Sequence, residues 1–181
     1  MPNFSNLIDI AELLKDCDVE YCVVKKPEHF PKYVSYSDVD IICADRYRMS
    51  SFILGKLNPR RGKDISIKVN KSEKKGFTHL DIYIPGADRL DLKLDLVDDL
   101  SKVYNKTSVK KNLTAELLKN RISVNGIYFL QTKFEMVVRM LEYREYISTR
   151  PEKIKHLKYV EENTDLMDEF KEVWCEYIQE E

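Results

Sequence analysis

Hydrophobic and polar positions change period several times along the chain, and those changes outline the elements. Leu7, Ile8, Ile10, Leu13 and Leu14 follow a helical stripe, with Ser5 or Asn6 placed to cap it. Glu20-Tyr21-Cys22-Val23-Val24 is β-branched and aromatic and predicts a strand. Pro27 and Pro31 interrupt regular structure, and strand character returns from Asp38 to Cys43. Met49 to Leu57 predicts a helix ending near Asn58-Pro59. Three alternating runs follow: Ile65 to Val69, Thr78 to Ile84, and Leu90 to Val97. Lys71 to Gly76 and Pro85 to Asp88 are turn material between them, so the runs predict an antiparallel meander.

Beyond the meander the period becomes helical, over Leu113 to Leu118, Lys133 to Ile147 and Leu166 to Ile178. The order predicts an α/β chain of the α+β kind. A mixed sheet with helices against one face fills residues 1–110, and a helical lobe packed on it fills residues 111–181.

Composition narrows the picture. The chain has 181 residues, of which 43% are hydrophobic, enough for a packed core in one domain of ordinary size. Thirty basic residues face 31 acidic ones, so no overall field draws the chain to nucleic acid or to an anionic membrane. No run approaches the roughly 20 apolar residues that span a bilayer. Met1-Pro2-Asn3-Phe4 lacks the charged start of a secretory signal, and a cytoplasmic location is expected. Cys17, Cys22, Cys43 and Cys175 lack zinc-type spacing, and His29, His79 and His156 lack helical ligand spacing. Zinc chemistry and a Ser-His-Asp mechanism are therefore unsupported.

Candidate chemistry begins at Ser37-Asp38-Val39-Asp40-Ile41-Ile42-Cys43. On a strand, Asp38 and Asp40 project from one face while Val39, Ile41 and Cys43 project from the other. Aspartate is disfavoured in strands, and a divalent cation such as Mg²⁺ is a natural partner for two on one face; a solvated strand edge is the plainer alternative. The run Arg89-Leu90-Asp91-Leu92-Lys93-Leu94-Asp95-Leu96 sets four leucines on one face and Asp91, Lys93 and Asp95 on the other. If the two strands are neighbours, three carboxylates can converge around one or two cations, and two-metal sites catalyse in-line phosphoryl displacement. An ordinary half-exposed strand has the same alternation.

The run Tyr21 to Lys26, then Ser37 to Ile42, then Leu90-Asp91-Leu92-Lys93 resembles the DNA polymerase β-like nucleotidyltransferase superfamily. Within it, the chain is similar to members linked to surface polysaccharide biosynthesis. The likeness spans roughly 19–98, with a weaker echo in Arg150-Pro151-Glu152-Lys153-Ile154-Lys155-His156-Leu157. The resemblance implies a nucleotidyltransferase-like fold, Mg²⁺ as cofactor, a nucleoside triphosphate as donor and a small-molecule acceptor. It implies Asp38 and Asp40 as metal ligands and Asp91 as the third carboxylate, ligand or base, with Asp95 and Asp81 as substitutes. That superfamily usually carries Gly-Ser after its first strand, where backbone N–H groups hold phosphate. Here the place reads Lys25-Lys26-Pro27, so Lys25 is the expected phosphate contact. The alternative is a non-catalytic nucleotidyltransferase-fold protein that has lost the Gly-Ser loop and uses the same cleft to bind a nucleotide or a protein partner. A toxin–antitoxin type nucleotidyltransferase acting on protein or RNA is a third reading, one that Gly-Ser would have favoured.

Overall fold

The protein is described from a computed structural model covering residues 4–26, 30–86 and 89–179. In chain order the elements are β1 (Phe4–Ser5), α1 (Ile10–Leu14), β2 (Tyr21–Val23), β3 (Tyr33–Val34), β4 (Ser37–Cys43) and α2 (Arg46–Leu57). Then come β5 (Ser66–Ser72), β6 (Phe77–Ile84), β7 (Arg89–Val97), α3 (Leu100–Val103), β8 (Ser108–Val109) and α4 (Leu113–Lys119). The last are β9 (Ile122–Val124), β10 (Ile127–Phe129), α5 (Thr132–Tyr146), α6 (Ile154–Glu162), α7 (Met167–Tyr177) and β11 (Ile178–Gln179).

The architecture is mixed α+β. A seven-stranded sheet runs in the order β5-β6-β7-β4-β2-β10-β9. The expected meander is present as β5, β6 and β7, paired antiparallel. The acidic strand β4 lies parallel to β7 and antiparallel to β2. Two small ribbons, β1 with β3 and β8 with β11, stand apart from the main sheet.

Helices cover both faces of the sheet, not the one face expected. Strand β2 shows why: Tyr21, Cys22 and Val23 are all buried, as a strand covered on both sides must be. Tyr21 and Val23 join one core with Val39, Ile41, Leu92, Leu94 and Leu96 beneath α1 and α2. Cys22 and Ile42 join the other, with Leu113, Leu117, Phe134, Val137, Leu141 and Trp174 from the later helices.

The first helix is shorter than expected and is capped by Asp9, whose side chain accepts from the Glu12 N–H at 3.1 Å. Ser5, one of the expected caps, instead accepts from the Leu7 N–H and donates to Asp91. Helix α2 begins earlier than expected because Asp45 accepts from the N–H groups of Tyr47 and Arg48. The largest departure lies after residue 110, where the expected helical lobe also supplies three strands, two of them to the main sheet. Strands β9 and β10 form a hairpin around Asn125-Gly126, both with positive φ (53° and 80°), as a two-residue mirror-image turn requires. Strand β10 then lies parallel to β2 and extends the main sheet.

Candidate active site

The parallel pairing of β4 with β7 builds the floor of the site. Asp38 lies opposite Lys93 and Asp40 opposite Asp95. Val39, Ile41, Leu92, Leu94 and Leu96 take the alternate positions into the core under α1 and α2. Asp38, Asp40, Lys93 and Asp95 therefore share the other face. They line a cavity of about 620 Å³ whose walls come from Lys25, from His79 on β6, and from Glu142, Lys153 and His156 on the α5–α6 hairpin.

Asp91, the expected third carboxylate, does not join them. Strand β6 pairs Ile82 with Leu92 but Tyr83 with Leu90, so Asp91 is the extra residue of a bulge. A bulge breaks the alternation, and Asp91 turns to the core side with Leu92. It is 1% exposed and accepts from Ser5 Oγ at 2.8 Å, Tyr33 Oη at 2.5 Å and Ser35 Oγ at 3.1 Å. Its carboxylate thus ties the β1–β3 ribbon to β7. Asp81 accepts from Asn70 Nδ2 at 2.9 Å and lies outside the cavity lining. Of the expected carboxylates, the structure gathers Asp38, Asp40 and Asp95.

Each of the inner two meets a protein cation. Lys25 Nζ lies 3.2 Å from Asp40 Oδ2 and 2.8 and 3.1 Å from the two oxygens of Glu142. Lys93 Nζ lies 2.9 Å from Asp95 Oδ2, while His79 Nδ1 meets the other oxygen of Asp95. Asp38 forms no side-chain hydrogen bond or ion pair among the described residues. Glu142 is the hub of the far wall. Besides Lys25 it meets Lys153 Nζ at 3.2 Å, and His156 Nε2 stands 2.9 Å from Oε2 at an angle poor for an N–H donor.

Burial and these partners set the protonation behaviour. Loss of solvent, with Glu142 and Asp95 nearby, holds Asp40 above the ordinary carboxylate range although Lys25 pulls it down. Burial also acts to raise Glu142, but His156, Lys25 and Lys153 together hold it well below the usual range. Burial opposes the charge on Lys25, and Asp40 and Glu142 more than offset it, leaving its pKa above the ordinary lysine value. Burial pushes His156 below ordinary imidazole, against the pull of Glu142.

Lys25, expected to contact phosphate, therefore bridges the acidic floor to the helical wall. Lys26 beside it is exposed, and Pro27 lies outside the described residues. The sequence reading passed over Glu142, Lys153, His156, Lys93 and His79 as site residues. A signal for Glu142 existed: it falls four residues after Val138 and eight after Phe134, so it continues the apolar stripe of α5 into the interior. A charge on a buried stripe needs a partner there.

Among the described residues, no three His, Cys, Asp or Glu side chains stand together in metal-holding geometry. The donor chemistry of Asp38, Asp40 and Asp95 nonetheless suits a hard divalent ion, being carboxylate oxygen only and on one face. No helix among the described residues is long and apolar enough to cross a membrane. No family model matches the chain, and no curated protein matches it.

Proposed function

We propose that this protein is an Mg²⁺-dependent nucleotidyltransferase that moves a nucleoside monophosphate from a nucleoside triphosphate to a hydroxyl or phosphate of a small acceptor. The observation that carries the reading is the β4–β7 register, which sets Asp40 opposite Asp95 with Asp38 on the same face of a cavity of about 620 Å³. Asp38, Asp40 and Asp95 would hold the ion, with Asp95 in the role first expected of Asp91. When bound, a divalent ion would neutralise charge on the triphosphate and activate the attacking oxygen. Lys25 and Lys93 supply ammonium groups to the phosphates as point charges. The α5–α6 wall, through Glu142 and Lys153, lines the side of the cavity across from the carboxylates. The resemblance to members linked to surface polysaccharide biosynthesis supports a sugar or glycan precursor as acceptor.

A specific observation favours a second reading. Lys25 stands where the superfamily usually carries Gly-Ser, and here it faces inward to Asp40 and Glu142. A relative with that loop replaced could bind a nucleotide without transferring it. Calorimetric titration of wild type and Asp40→Asn with Mg²⁺ and each triphosphate tests binding, and release of pyrophosphate with candidate sugar acceptors tests transfer. Binding that Asp40→Asn abolishes, with pyrophosphate release, supports the transferase. Binding without release under any acceptor supports the second reading. Absence of nucleotide binding in the wild type refutes both.

A further inference from the structure

Asp40 and Asp95 face each other across the β4–β7 pairing, and each already holds a lysine. The two lysines differ in how they are held. Lys25 is anchored at its far side by both oxygens of Glu142, at 2.8 and 3.1 Å, so it can leave Asp40 without losing its other partner. Among the described residues Lys93 is held by Asp95 alone, and its side chain is 31% exposed, which lets it swing outward. A divalent ion binds a carboxylate oxygen at roughly 2.0–2.1 Å. An ammonium already on the same oxygen competes for the same lone pairs and adds a like charge beside the incoming ion. Asp38, which meets no cation among the described residues, offers a bare ion only one uncontested carboxylate.

We infer that Lys25 and Lys93 are resident counter-ions, which hold Asp40 and Asp95 against a bare divalent ion and yield them when a polyphosphate draws the ammonium groups away. The inference rests on the nucleotidyltransferase reading and adds an order to it: metal and triphosphate load together, each raising the other's affinity. A triphosphate is the ligand class that fits, because it presents several anionic oxygens to two lysines, one on each carboxylate of the pair. Lys25 turns on Glu142, so Glu142 is a positioning residue for that exchange and not a ligand.

The test is binding of bare Mn²⁺, followed by electron paramagnetic resonance of the free ion, in wild type, Lys25→Met and Lys93→Met. Parallel titrations use Mn²⁺ with an α,β-methylene nucleoside triphosphate, and circular dichroism checks the fold of each variant. Wild type should bind bare Mn²⁺ weakly. Lys25→Met should tighten bare Mn²⁺ on the order of tenfold or more while weakening the metal–nucleotide complex, two changes of opposite sign. Lys93→Met should shift both in the same directions, and it decides the matter if Lys25→Met does not fold. Lys25→Arg, which keeps the charge, should restore weak Mn²⁺ binding. Unchanged or weaker Mn²⁺ binding in folded variants that still take up metal–nucleotide overturns the counter-ion role alone. A wild type that binds no nucleotide with any divalent ion overturns the underlying reading, and this inference with it.

Discussion

Replacing Glu142 by glutamine keeps the shape of the α5–α6 wall and removes the charge on which it converges. Glu142 is 7% exposed, and its oxygens lie 2.8 Å from Lys25, 3.2 Å from Lys153 and 2.9 Å from His156. Removing one partner of a buried ion pair costs roughly 3–5 kcal/mol, mostly because the other charge is left uncompensated. Lys25 keeps Asp40 at 3.2 Å after the change, so the low end of that range applies, about 3 kcal/mol. The sign with pH follows from the depressed pKa of Glu142. Its contribution is fully present above the ordinary value of 4.5 and is lost as pH falls through the folded value below it. Asp40, whose pKa is raised, titrates with the opposite sign, so the informative quantity is the gap between wild type and variant. Urea unfolding of both proteins from pH 7 to pH 3 measures that gap. It should be about 3 kcal/mol near neutrality and narrow below about pH 4.5. A gap under about 1 kcal/mol at pH 7, or one constant across the range, would refute the hub assigned to Glu142.

Leu94 is fully buried under α1 and α2, so Leu94→Ala should cost about 2–5 kcal/mol in a denaturant titration, and a loss below about 1 kcal/mol would mean the face is misassigned. Asp91→Ala strands three hydroxyl donors and should cost about 3 kcal/mol while leaving nucleotide affinity unchanged. Asp95→Asn should do the reverse, abolishing metal-dependent nucleotide binding with little change in the urea midpoint; calorimetry on the pair checks the exchange of roles. His156 is held neutral by burial, so its contribution is fully present above its ordinary pKa near 6.5 and lost as pH falls through the lower folded value. His156→Leu, assayed by thermal unfolding between pH 8 and pH 5, should flatten the decline of wild type over that window; an unaltered slope would place the titration elsewhere.

Much of this protein was legible in local periodicity. The alternation in β5, β6 and β7, the shared face of Asp38 and Asp40, and the stripes of α2, α4, α5 and α7 follow from periods of 2 and 3.6, which each segment carries by itself. The hairpin at Asn125-Gly126 was legible too, since the dipeptide between two apolar runs is a local turn signal, and the helical reading of the C-terminal part passed over it. Only tertiary structure chose between Asp91 and Asp95. Both sit at the same parity in the sequence, and one bulge against Tyr83 turns Asp91 to Tyr33 and Ser5 while Asp95 stays opposite Asp40. Only tertiary structure could bring Glu142 to Lys25, a separation of 117 residues. A strand's period assigns a residue to a face only until an inserted residue breaks it. Which faces then meet is decided by the register in which the leucines of β7 pack against the core, a property of the assembled sheet and of no single segment.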